Sequence, residues 1–263
     1  MLTGRRPGDE DRMNIKTFII DSKTEYKEVT CRDKKINKYY ELRDSGEHYF
    51  SIPDACIDLQ FVKTGKDVIP YVCGTHLEGT DKLPGQNEWC FGVKFNPGIV
   101  PKLIRPEVIK LICSRKVIED EPWITELREE LGKTSSFEER VEIFREIFPY
   151  KEQVGDIDSR VEEALEKIKK KRGCINISDL AAELGYNQSY LDRLFYAATG
   201  MSMKKFSTIV RMQSAIRYLQ EDKTDEVYEK LGYYDQSYFI REFRKYTGMT
   251  PRQWAKKSQK RIV

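Results

Sequence analysis

Histidine is almost missing: His48 and His76 are the only two in 263 residues, so a multi-histidine metal centre cannot be assembled. No C-x-x-C pair occurs among the six cysteines (Cys31, Cys56, Cys73, Cys90, Cys113, Cys174), which removes the compact thiolate spacing of zinc fingers and ribbons. No segment approaches the roughly 18 to 20 consecutive apolar residues that a spanning helix needs. Residues 1–6 lead into acids rather than into an apolar signal core. Without an export signal, the cysteines are expected reduced and the protein cytoplasmic, with no membrane partner. No cofactor, metal or catalytic residue is expected, and an enzyme is not.

What is present describes a globular chain. Charged residues make up 34%, the AVILMFWYC set 39% and aromatics 11%, a balance foreign to disordered tails and membrane bundles. The length suits about two domains. Net charge is only +3, but its partition is uneven: residues 159–263 hold 21 Lys+Arg against 13 Asp+Glu, leaving 25 against 30 before them. A basic final third suits a polyanion. Residues 1–12 are polar and charged and read as a disordered leader, with Met13 as a candidate start.

From residue 18 to 93, turn residues at 44–46, 64–66 and 83–85 separate short segments such as 47–52, 57–62 and 89–95. Their alternation and their β-branched and aromatic content predict strands, hence a small barrel or sandwich. Helical spacing then links Ile118, Trp123, Ile124, Leu127 and Leu131, and again Phe137, Val141, Phe144 and Phe148. Ser136 with Glu139 predicts a capping box, as do Ser159 and Glu162 further on. The polar stretch 151–158 reads as an interdomain linker.

Self-similarity is the strongest signal. Leu184-Gly185-Tyr186-Asn187-Gln188-Ser189-Tyr190-Leu191-Asp192-Arg193-Leu194-Phe195 returns as Leu231-Gly232-Tyr233-Tyr234-Asp235-Gln236-Ser237-Tyr238-Phe239-Ile240-Arg241-Glu242-Phe243, and Thr199-Gly200-Met201-Ser202 as Thr247-Gly248-Met249-Thr250. Each copy predicts a short helix (178–184; 224–231), a glycine turn, and a second helix with an Asx cap, Asn187 or Asp235, and a terminal glycine. Leu191, Leu194, Phe195 and Ala198 form one stripe, predicted buried. Ser189, Asp192, Arg193 and Tyr196 form the opposite one, with Gln188 at the helix start. In the second copy Phe239, Phe243 and Tyr246 turn inward and Gln236, Ser237, Ile240, Arg241 and Arg244 outward. These outward stripes are the candidate recognition faces, since arginine suits guanine O6/N7 and phosphate. The segment 203–221 between the copies predicts one rigid helix of roughly 28 Å, near the roughly 34 Å between successive major grooves on one face of DNA.

This pattern resembles the AraC/XylS family of transcriptional regulators over about residues 159–258, most specifically in the Gly-Tyr-Tyr-Asp-Gln-Ser-Tyr-Phe-x-Arg-x-Phe-(x)4-Gly-Met-Thr-Pro stretch at 232–251. The resemblance implies a seven-helix domain contacting double-stranded DNA through Ser189, Asp192 and Arg193 in one recognition helix and Gln236, Ser237, Ile240 and Arg241 in the other. Arg211 stands where the family keeps an arginine on the linking helix. Tyr228 departs from a position that is usually small. Ile52-Pro53-Asp54-Ala55-Cys56-Ile57-Asp58-Leu59 and Phe91-Gly92-Val93-Lys94-Phe95-Asn96-Pro97-Gly98 are similar to the cupin-like sensor half of one subgroup. The implied fold class is α+β: a cupin-like barrel or sandwich with closing helices (13–150; strands to about 95, helices about 101–148), a linker (151–158), an all-α double helix-turn-helix domain (159–258) and a basic tail (259–263). Tyr71, His76, Trp89, Phe91 and Phe95 are the candidate ligand pocket. The implied function is an activator that contacts RNA polymerase, forms a homodimer through the helices near 123–148 and senses a small molecule. One alternative front half docks a protein instead; another makes the chain a repair methyltransferase fusion, against which the wide cysteine spacing argues.

Overall fold

Among the described residues, alternating branched, aromatic and polar side chains build eight strands before residue 96: β1 (Phe18–Asp21), β2 (Glu25–Thr30), β3 (Ile36–Arg43), β4 (Tyr49–Ser51), β5 (Asp58–Thr64), β6 (Asp67–Cys73), β7 (Thr80–Lys82) and β8 (Trp89–Phe95). The computed structural model describes residues 15–21, 24–43, 49–82, 88–118, 121–154, 157–220, 227–256 and 260–262. The expected leader, His48, the turns at 44–46 and 83–85 and the start of the second motif's first helix lie outside these residues.

A 3-10 turn (Lys102–Glu107) runs into α1 (Val108–Leu111), and β9 (Arg115–Val117) then pairs with β6. Helix α2 (Pro122–Lys133), α3 (Phe137–Ile147) and the one-turn α4 (Tyr150–Gln153) follow. Residues 101–148, which the apolar spacing predicts to be helical, therefore include a strand: Ile118 is buried just after β9, and α2 starts only at Pro122, a residue suited to a first turn. Ser136 caps α3 by accepting from Glu139 N at 3.1 Å. The expected linker is partly structured too, since the buried Gln153 side chain accepts from Leu103 N at 3.1 Å.

The strands form two antiparallel sheets. One has six strands in the order β2-β3-β8-β5-β6-β9, and the other four in the order β10-β1-β4-β7, where β10 (Lys260–Ile262) comes from the far end of the chain. One face of the six-stranded sheet carries Leu59, Phe61, Trp89, Phe91, Val93 and Phe95 onto the apolar stripes of α2 and α3, from Ile124 to Phe148. The other face looks across a cavity toward the smaller sheet and is polar, with Tyr40, Asp58, Gln60 and Lys94. A side chain at Gly92 would collide with the Tyr40 ring, so glycine is required there.

The described residues from 159 to 256 form helices: α5 (Ser159–Lys170), α6 (Ile177–Glu183), α7 (Gln188–Thr199), α8 (Met203–Gln220), α9 (Val227–Lys230), α10 (Gln236–Thr247) and α11 (Pro251–Lys256). Asp158, not Ser159, caps α5, accepting from Arg160 N at 3.0 Å. Helix α8 is buried on nearly every side. Its Gln213 reaches out of the helical domain, accepting from Lys16 N (2.9 Å) and donating to the carbonyls of Lys16 and Pro53 (2.8 Å each). Ile19, Ile52 and Ala55 join the same core cluster as the helices, whereas the six-stranded sheet with α2 and α3 forms a core of its own. Tyr228, the departure from a small residue, is half-buried against that core.

Candidate nucleic-acid interface

The two helix-turn-helix units are built by the same local devices. Asn187 accepts from the N–H groups of Ser189 (3.0 Å) and Tyr190 (3.3 Å), and Asp235 from Tyr238 N (2.7 Å), each satisfying donors that the first helical turn leaves free. Both recognition helices end on a left-handed glycine, Gly200 (φ 78°) and Gly248 (φ 72°). The threonine before each glycine explains why Thr-Gly-Met repeats. Thr199 Oγ1 lies 2.8 Å from Phe195 O and 3.1 Å from Met201 O, and Thr247 Oγ1 lies 2.8 Å from Phe243 O and 3.0 Å from Met249 O. Each hydroxyl also accepts from the methionine N–H and locks the chain as it leaves the helix.

Leu191 and Phe195 in α7, and Phe239, Phe243 and Tyr246 in α10, are buried. The opposite faces are open: Gln188, Ser189, Arg193 and Tyr196 in the first unit and Gln236, Ser237, Arg241 and Arg244 in the second are exposed. Among the described residues no ion pair engages Arg193, Arg241 or Arg244. The three guanidiniums are therefore available to an anionic partner, and Arg193 and Arg241 hold equivalent places.

Two residues of the expected recognition set face inward. Asp192 is half-buried and its Oδ1 accepts from Met203 N at 2.9 Å, capping α8. Helical spacing puts Asp192 on the outward stripe, but its short carboxylate turns to the free N–H groups of the next helix. Arg211 is half-buried with its guanidinium 4.7 Å from the Tyr233 ring, a cation–π contact that ties α8 to the turn of the second unit. Ile240 is half-buried as well. One exposed residue carries no role in the sequence reading: Tyr234, an additional residue in the second turn, which is 99% exposed. The one-residue difference in turn length between the copies is the signal that marks it.

The cavity between the sheets measures about 380 Å³ and is lined by Thr17, Ser51, Asp54, Gln60, His76 and Lys94, among others. Of the expected pocket residues only His76 lines it. Trp89, Phe91 and Phe95 sit on the opposite face, in the core against α2 and α3, and Tyr71 stacks under Arg115 with 4.5 Å between guanidinium and ring centre. Alternation alone does not tell which face of a doubly covered strand looks into a pocket. At the cavity floor Lys94 Nζ donates to Asp54 (2.7 Å) and Asp58 (2.6 Å), the Tyr40 hydroxyl donates to Asp58 (2.8 Å), and Gln60 Nε2 donates to Tyr40 (2.7 Å). Burial opposes the Lys94 ammonium, but Asp54 and then Asp58 outweigh it and hold its pKa above the usual lysine range. Burial raises the Asp58 carboxyl, with Lys94 pulling the other way. Among the described residues no group of three or more His, Cys, Asp or Glu side chains could hold a metal ion.

Residues 180–257 match a family described as "Helix-turn-helix domain". The chain is similar to the Msm operon regulatory protein of Streptococcus mutans, 29% identical over 87 residues, which cover 32% of this chain and 31% of that protein. It is also similar to the uncharacterized transcriptional regulatory protein YesN of Bacillus subtilis, 33% identical over 75 residues (27% and 20%). The matches span from a tenth to about half of the length of these and other curated relatives. Among solved structures, the C-terminal domain of AraT from Geobacillus stearothermophilus aligns at 26% identity over 41% of this chain and 91% of that one, with a TM-score of 0.37. ToxT from Vibrio cholerae aligns at 13% identity over 91% and 98%, with a TM-score of 0.41.

Proposed function

We propose, from the match of residues 180–257 to a helix-turn-helix family and the repeat described above, that the protein is an AraC-type, sequence-specific regulator of transcription whose two recognition helices read one stretch of double-stranded DNA. The observation that carries this reading is the equivalence of Arg193 on α7 and Arg241 on α10, both exposed and without an ion pair among the described residues. Helix α8, at 18 residues, spans about 27 Å at 1.5 Å per residue, a length suited to holding two helices near successive major grooves.

In the same reading the sheet-rich half is the regulatory half and the cavity above Lys94 receives a small effector. Gln213 and the shared core give that half a route to the DNA-binding helices. The protein acts as a homodimer and activates through RNA polymerase. The apolar stripes of α2 and α3 are occupied by the sheet, so a dimer formed through these helices would use their charged outer faces.

Selection of duplexes from a random pool with the full chain, followed by binding across a salt series, tests the proposal. The expected result is a bipartite site with elements about one helical turn apart and affinity falling steeply with salt. Weak binding with no sequence preference would overturn it. Sedimentation with and without that duplex tests the dimer.

A further inference from the structure

Resting on the DNA-binding reading above, we propose that Tyr234 is a contact to the sugar–phosphate backbone, made by the second helix-turn-helix unit and absent from the first. Three observations carry this. Tyr234 is 99% exposed, whereas the tyrosine before it, Tyr233, is buried against Phe239 with 5.0 Å between ring centres. The turn is already complete without Tyr234: Gly232 supplies the positive φ (65°), Tyr233 supplies the packing and Asp235 the cap. The first unit goes directly from Tyr186 to its cap Asn187. The additional residue thus presents a whole phenol to solvent at the entrance to α10, beside the exposed Gln236 and Ser237.

The neighbouring tyrosines differ in the same sense. Tyr190 of the first unit receives a hydrogen bond from the Arg160 guanidinium, which also lies over its ring (5.7 Å). Its counterpart Tyr238 is 45% exposed; its hydroxyl donates to Glu242 of its own helix at 3.4 Å and its ring lies 6.0 Å from that of Tyr233. The second unit therefore leads with an open aromatic edge flanked by Arg241 and Arg244, and the first does not.

A phenol in this place suits a phosphodiester better than a base edge. Its hydroxyl donates to a phosphate oxygen while its ring packs on the deoxyribose, a positioning contact that carries no sequence information. A neutral donor displaces no counterion, so its contribution should not change the salt dependence, unlike that of an arginine.

The test uses the full chain on its selected duplex. Tyr234→Ala is expected to weaken binding about ten- to a hundredfold, in the range of a hydrogen bond to a charged group, with base preference, salt slope and thermal midpoint unchanged. Tyr234→Phe should recover part of the loss, through the ring alone. A duplex carrying a neutral methylphosphonate at one phosphate flanking the second half-site should weaken wild type but not Tyr234→Ala any further. Arg241→Ala is the control that separates the two ideas. If Arg241→Ala loses affinity while Tyr234→Ala binds within twofold of wild type, the tyrosine contact is wrong and the DNA reading stands. If the wild-type chain shows no sequence preference and Arg241→Ala changes nothing, both fall. A weaker Tyr234→Ala whose loss no methylphosphonate position cancels, or whose melting midpoint drops, also overturns the contact.

Discussion

In the first helix-turn-helix unit, α7 is fastened to other helices: Arg160 of α5 binds Tyr190, Asp192 caps α8, and Gly200 lies against Val108 and Ile112 at the end of α1. In the second, Arg211 of α8 stacks on Tyr233, and α10 also meets strands and their connections: Glu78 pairs with Lys245 at 2.8 Å, Lys245 O accepts from Gly79 N, and the Phe50 ring lies against Gly248. Inside each helix the two copies are nearly superimposable in logic, down to the threonine lock. The repeat fixes how a recognition helix is made and leaves open what the helix is fastened to. Both units thus touch the sheet-rich half, the first through α1 and the second through Phe50, Glu78 and Gly79.

Several substitutions would break or sharpen this contrast. Phe195→Ala and Phe243→Ala remove equivalent, fully buried rings, and each should cost about 3–5 kcal/mol in chemical denaturation. If the copies are equivalent in core role, the two values will agree to within about 1 kcal/mol; a wide gap would show that the fastenings, not the helices, set local stability. Next, Arg193→Ala and Arg241→Ala should each cost about 1–3 kcal/mol of DNA binding and relax preference in different halves of the site. Relaxation in the same half would end the one-unit, one-half assignment.

Asp192→Ala should lower stability by about 1 kcal/mol, the worth of a helix cap, without changing which base is preferred. A changed preference would return Asp192 to the DNA surface. The smallest effect concerns acid. Hydrogen bonding from Arg160, outweighing its own burial, holds the Asp158 carboxyl at about 2, below its ordinary 3.8. A lowered folded-state value stabilises above pH 4 and is lost as pH falls through about 2. Because the pair is partly exposed, solvent screening keeps this gain small. Amide exchange of α7 should quicken before that of α10 as pH falls through this window, and simultaneous quickening would remove the Arg160 brace from the account.

How far the sequence carries depends on whether a signal is local. The caps, the glycine exits and the buried stripe of each recognition helix are read from residues within one or two turns of each other, and the structure has them at Asn187, Asp235, Gly200 and Gly248. Asp192 escapes because stripe arithmetic fixes where a residue sits on its helix but not whether a short carboxylate bends to the next one. Phe91 and Phe95 are misplaced because β8 is covered on both faces: period two predicts that they share a side with Trp89 but not that this side meets α3 rather than the cavity. Strand β9 is three residues long and all exposed, with no alternation to detect. The Lys94–Asp54–Asp58 cluster joins residues up to 40 apart, a juxtaposition that no spacing rule reaches.

The pairing of β1 with β10 sets Ile19 opposite Ile262, and this has a bearing on how the chain acquires its fold. Such a pairing has nearly the largest sequence separation the chain allows, and contacts of that kind form late because loop closure precedes their reward. On a ribosome the smaller sheet would wait for the final helix to emerge, with one side of β1 unpaired in the meantime. The sheet-rich half would thus be finished by a strand that follows the helical half in the chain, so that synthesis itself orders their assembly.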